Sequence, residues 1–142
     1  MRPMTETRFD VDVIAAGEST VLKFAEGGVI FAPGDAADCA YIVKSGKVEM
    51  REKGRSVERL EPGEIFGELA LIDAEPRSAS AVAVGSVELI PISRSLFDVL
   101  IRDDSDFALT IVRLMAKSLR ATMKMLEAHL ENVEDEKPRA RA

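Results

Sequence analysis

The chain has 142 residues, 46% of them hydrophobic and 31% charged, enough for one domain with a real core. With 25 acidic residues against 19 Lys and Arg, a net charge of −6, and the basic residues scattered except in the closing "KPRARA", direct nucleic-acid binding, which calls for a basic face, is not expected. No apolar run reaches the ~20 residues of a membrane helix, no signal-type leader opens the chain, and a lone Cys39 forbids an internal disulfide, so a cytoplasmic setting is expected.

After an N-terminal segment over 1–18, short strands follow in chain order: "TVLKF", "GVIFA", "CAYIV", "KVEMR", "VERL", "ASAVAV" and "VELIPI". Turn residues separate them: "PGD" at 33–35, "SGK" at 45–47, "EKGR" at 52–55 and "EPGE" at 61–64. In "EPGE", Pro62 pre-sets φ and Gly63 supplies the positive φ of a type II turn. Turn signals at this spacing predict a sandwich or jelly-roll β-barrel (a double-stranded β-helix) over 19–93. Cys39 alternates with Tyr41 and Val43 and reads as a core residue.

From Ser93 the period changes. "SRSLFDVLIRDD" predicts a short helix capped by Ser93 or Ser95. Residues 104–137 then contain neither Gly nor Pro, predicting a long C-terminal helix with an N-cap among Asp104 to Asp106. The fold class is thus mainly β with α, the helices spanning 94–134 and a charged tail 135–142. Leu109, Val112, Ala116, Leu119, Met123, Leu126, Leu130 and Val133 are spaced 3, 4, 3, 4, 3, 4, 3, the seam by which a helix zips to a second copy. A second stripe, Phe107, Ile111, Leu114, Met115 and Met125, is expected to pack on the barrel. The competing reading gives both stripes to one intramolecular core.

Chemistry concentrates in "FGELALIDAEPRSASAVA", residues 66–83. Gly67 permits a sharp turn into the one-turn helix "ELALID", whose first amides and dipole suit an anion. Arg77, behind the stiffening Pro76, has a planar fork that can hold two phosphate oxygens, and Ser78, Ala79 and Ser80 leave room beside it. Glu68 near a phosphate calls for a ligand hydroxyl to accept from, as on a ribose. There is no GxxxxGK[ST] loop and no Asp cluster for Mg²⁺, which argues against a triphosphate. The plainer alternatives are a surface ion pair of Arg77 with Asp73 or Glu75, and a Glu68 that merely favours the helix start. His129, the only histidine, cannot build a metal cluster or a catalytic dyad within one chain, and no nucleophile–base pair is present; neither a catalytic nor a metal site is expected.

The run "FGELAL" followed by "PRSAS" resembles the phosphate-binding cassette of the cyclic nucleotide-binding domain, the module of kinase regulatory subunits, cyclic-nucleotide-gated channels and catabolite activator proteins. "IFAPGD", "AYIVKSGKVEM", "LEPGEIFGE" and "ISRSLFDVLI" extend the resemblance over most of 20–101. It implies that Arg77 clamps a cyclic phosphate and Glu68 the ribose 2′-hydroxyl. Amides at Gly67, Leu69, Ala70 and Ala79 become candidate donors, with Ser78 touching phosphate or base. "MAKSLRATM" resembles the base-covering helix of the catabolite activator protein, which points to Thr122, with Arg120 and Met125 as weaker candidates; a helix-surface Thr is the plain alternative. cAMP is preferred and cGMP possible, because a hydroxyl after the Arg is linked in that family with guanine. The implied function is a non-catalytic regulatory module that relays occupancy through its C-terminal helices as a homodimer, toward a downstream partner the sequence does not name. Two alternatives are a catabolite-activator-type transcription regulator lacking or truncated before its helix-turn-helix, and a structural dimerisation domain with no ligand.

Overall fold

The structure, a computed structural model, describes Phe9 and residues 20–136, with side chains to residue 132. The expected 1–18 segment, except Phe9, and the 135–142 tail, except for backbone as far as Glu136, lie outside the described residues, as does the Val133 side chain.

Six strands form one antiparallel sheet: β1 (Leu22–Phe24), β2 (Val29–Phe31), β3 (Cys39–Glu52), β4 (Arg55–Leu60), β5 (Ile65–Phe66) and β6 (Ser80–Ser93). The order is β1-β6-β3-β4, with β2 on β6 and β5 on β3. The arrangement is jelly-roll-like without closing into a full barrel.

Two of the predicted breaks are not turns. "CAYIV" and "KVEMR" belong to one 14-residue strand, and so do "ASAVAV" and "VELIPI". "SGK" is a bulge inside β3, where the register with β6 shifts twice between Val43 and Lys47. Gly46 lies at φ 83, and a Cβ there would fall 2.3 Å from the Ser86 carbonyl oxygen. A bulge bends a strand and re-aims its side chains. Here Ala40 and Ile42 serve one core cluster while Val43 and Val48 serve another. The "EPGE" turn is as expected: Gly63 has φ 89 and Glu64 N–H donates to the Glu61 carbonyl at 3.0 Å.

Among the described residues three helices accompany the sheet: α1 (Glu68–Asp73), α2 (Arg94–Asp103) and α3 (Ser105–Glu136). Ser93 caps α2 by accepting from Leu96 N–H at 3.1 Å, and the Asp104 side chain accepts from Phe107 N–H at 3.0 Å. Phe107 and Ile111 dock α3 on the sheet, where the Phe107 ring meets Phe9 at 5.0 Å and Phe97 at 5.7 Å. Arg94 ties the helices together, donating to the Leu71 carbonyl of α1 at 3.0 Å and to the Ala37 carbonyl at 3.2 Å.

The helix α3 has 32 residues, roughly 48 Å at 1.5 Å each, and outruns its support. Leu114 is the last apolar residue of the second stripe against the core; Met115 and Met125 are exposed. Both are expected to pack on the barrel, but their side chains face solvent. The whole described seam, apart from the small Ala116, carries large exposed apolar side chains, with Leu119 at 60% and Leu130 at 53%. No helix among the described residues is long and apolar enough to cross a membrane.

Candidate functional site

The "PGD" turn does more than reverse the chain. Arg77 N–H donates to the Asp35 carbonyl at 2.9 Å, and Gly34 N–H donates to the Arg77 carbonyl at 2.8 Å. Asp35 stiffens its own turn by accepting from Ala32 N–H at 2.9 Å. The backbone at Arg77 is thereby pinned before its side chain makes any contact.

That side chain runs inward and is 5% exposed. Nη1 donates to the Gly67 carbonyl at 2.6 Å and Nη2 to the Cys39 carbonyl. The Phe31 ring lies under the guanidinium, 4.1 Å from Cζ, a cation–π contact. Asp73 Oδ1 accepts instead from Glu75 N–H at 3.1 Å, so the surface ion-pair reading of Arg77 fails. Nε is the one buried side-chain nitrogen or oxygen among the described residues with no hydrogen-bond partner. A buried donor left unpaired typically costs about 1–3 kcal/mol, which an anionic acceptor would relieve.

Gly67 is needed twice. It stands at φ 79, ψ 5 as the residue before α1, a conformation that side chains disfavour. A Cβ on it would also lie 2.7 Å from Arg77 Nη1 and 3.4 Å from the Phe31 ring. Leu71 anchors α1 in the core, so the opening amides of the helix stay beside Arg77. Glu68 follows directly. Burial pushes its carboxyl up to about 7 and Glu58 adds to the rise, while its own backbone N–H and Arg77 pull it down. A carboxylate at that balance can accept a hydroxyl proton bond and can also carry a proton near neutrality.

A cavity of about 150 Å³ opens here, lined by Gly67, Glu68, Leu69, Ala70, Arg77, Ser78 and Ala79. All seven residues of 67–79 expected to line a site are thus gathered in one place. Thr122 is not. It is exposed on α3 and outside the lining, as are Arg120 and Met125. The helix reaches the cavity one and two turns earlier, through Ser118 and Leu114. Sequence reasoning missed Phe31, the Cys39 carbonyl, and Met50, Glu58 and Leu60 on the sheet wall. Of these only the β4 pair had a local signal, since Glu58 and Leu60, two apart on a strand, must face the same side.

The family model of the cyclic nucleotide-binding domain matches residues 21–104. The cyclic AMP receptor protein of Thermus thermophilus is 39% identical over 102 residues, which are 68% of this chain and 47% of that one. The cGMP-dependent protein kinase of Toxoplasma gondii is 42% identical over 78 residues, 55% of this chain and 8% of the kinase. The chain therefore spans about half of the bacterial relative and a small part of the kinase. Among solved structures, the Thermus thermophilus catabolite activator protein superposes with a TM-score of 0.75 at 34% identity, over 90% of this chain and 60% of that one.

Proposed function

The chain belongs to the cyclic nucleotide-binding domain family, and from that premise we propose that it is a regulatory module that binds a 3′,5′-cyclic purine nucleotide and has no catalysis of its own. The observation that carries this reading is the buried Arg77, whose Nε lacks an acceptor at the wall of a cavity. The cyclic phosphate would supply that acceptor while two carbonyls hold the rest of the fork. Glu68 then takes the ribose 2′-hydroxyl, which 3′,5′-cyclisation leaves free. Amides at the start of α1, with Ala79 and Ser78, complete the cradle. cAMP is the preferred ligand and cGMP the alternative.

Relay follows from shared walls. Leu114 and Ser118 of α3 line the same cavity as the cassette, so a bound nucleotide contacts both barrel and helix and biases how the helix lies. Arg94 links α1 to α2 at the same end. The exposed seam of α3 supports pairing with a second copy, in the cytoplasm, where a downstream protein reads the change.

A second reading keeps the pocket but places it within a transcription regulator of catabolite-activator type. The 47% share of the Thermus relative that the chain spans favours keeping it. A ligand-free dimerisation domain is disfavoured by the unpaired Nε. Calorimetric titration with cAMP, cGMP and 2′-deoxy-cAMP tests all three. The regulatory reading expects saturable binding that Arg77→Ala abolishes and that the deoxy analogue weakens; no heat at millimolar nucleotide refutes it.

A further inference from the structure

The cavity carries more negative charge than its phosphate and sugar contacts use. Glu58 of β4, Glu64 of the "EPGE" turn and Glu68 of α1 all line it. Among the described residues no group of three or more His, Cys, Asp or Glu could hold a metal ion, so the cluster is not a cation site. Glu68 is assigned to the sugar, and Glu64 Oε1 accepts from Glu61 N–H at 2.9 Å. Among the described residues nothing hydrogen-bonds or ion-pairs with the Glu58 side chain.

Strand geometry turns Glu58 toward the cavity. Glu58, Leu60 and the cross-strand partner Met50 line the cavity together, while Arg59, between the first two, reaches the other way to Glu49 at 3.2 Å. The charged groups acting on Glu58 are Glu64 and, from α3, Lys117; burial and Glu64 raise its carboxyl above the usual range and Lys117 opposes them. Glu58 in turn acts on Glu68.

We propose that Glu58 reads the base of the bound cyclic nucleotide, accepting a hydrogen bond from the exocyclic amine at purine position 6 and so favouring adenine over guanine. The inference rests on the cyclic-nucleotide reading above. With phosphate on Arg77 and ribose on Glu68, the base falls to the remaining wall, where Met50, Leu60 and Leu114 offer apolar contact and Glu58 is the uncommitted charge. On its N7 edge adenine offers an acceptor and the N6 amine, whereas guanine offers two acceptors, N7 and O6. An ionised carboxylate only accepts, so it pairs with the amine and repels O6; a protonated one gains a donor that N7 or O6 can take, so the discrimination belongs to the ionised form. A glutamine still offers adenine an acceptor, though a neutral and weaker one, and its amide N–H can also serve O6.

The test is calorimetry on the full chain and on Glu58→Gln, with cAMP, cGMP and the cyclic monophosphate of purine riboside, which lacks the amine. The native protein should bind cAMP about tenfold or more tighter than either analogue. Glu58→Gln should bind cAMP several-fold more weakly, because a neutral hydrogen bond replaces a charge-assisted one, and should bind cGMP about tenfold tighter than the native protein does. Glu58 is exposed without ligand, so an unchanged melting temperature is expected of the variant, and Glu58→Lys should shift the preference to cGMP. A native protein that binds cGMP as well as cAMP, or a selectivity ratio unmoved by Glu58→Gln, overturns the assignment and leaves the proposed function standing. Absence of binding by every nucleotide overturns both.

Discussion

Arg77 has one structural duty and one that the proposed function adds, and substitution separates them. It ties the Gly67 and Cys39 carbonyls together, and in the proposed function its unpaired Nε serves the ligand. Arg77→Lys keeps the charge but loses the planar fork, so nucleotide affinity should fall about ten- to hundredfold, as hydrogen bonds to charged groups contribute about 1.5–3 kcal/mol each. Calorimetry reads this, and a scan of the same variant should show a lower melting temperature because two carbonyls lose a donor. Glu68 predicts a pH effect of definite sign. Its folded value of about 7 exceeds the ordinary 4.5, so the folded state holds the proton more tightly than the unfolded one. Its contribution to stability is full below about 4.5 and is lost as pH rises through 7. The free protein should therefore be easier to denature with urea at pH 8 than at pH 5.5 through this group, and Glu68→Gln should flatten that slope.

At the scale of elements, α3 divides after Ser118, its last residue at the cavity wall, between a docked part and a longer free part. Phe107 and Ile111 hold the first; Leu119, Met123, Leu126 and Leu130 leave the second with an apolar stripe in water. If the stripe pairs with a second copy, Leu119→Glu combined with Leu126→Glu should convert a dimer into a species of 15.5 kDa in light scattering, with little loss of fold, since neither residue touches the barrel core. A native chain already monomeric at high concentration would remove the dimer reading. The contrast between the halves also explains what the sequence made legible. The 3–4 spacing of the seam is a local property of one helix and reads directly off the residues. Where the helix parts from the sheet depends on how far the sheet extends, which no local pattern encodes, and so Met125 and Thr122 were placed too close to the barrel.

For the molecule as a whole, ligand binding and stability should be one equilibrium. A nucleotide at 100 times its Kd stabilises the folded chain by about 2.7 kcal/mol, enough to raise the melting temperature by several degrees, and Arg77→Ala should abolish that rise in a scan with cAMP. The same global view shows why the cassette was readable and its surroundings were not. Gly67, Glu68, Pro76 and Arg77 lie within eleven residues and interact through nearby backbone. The Cys39 carbonyl reaches Arg77 from 38 residues away, and Glu58 reaches the cavity through pairing with Met50; both depend on strand register. "SGK" misled for a related reason: a glycine with positive φ looks alike in a hairpin and in a bulge. The clamp on the guanidinium has a kinetic corollary. Because the two carbonyls of residues 39 and 67 already fix the fork before any nucleotide arrives, little conformational search remains for the encounter complex. Observed association rates in stopped flow should then climb linearly with nucleotide concentration and show no plateau from a slow isomerisation.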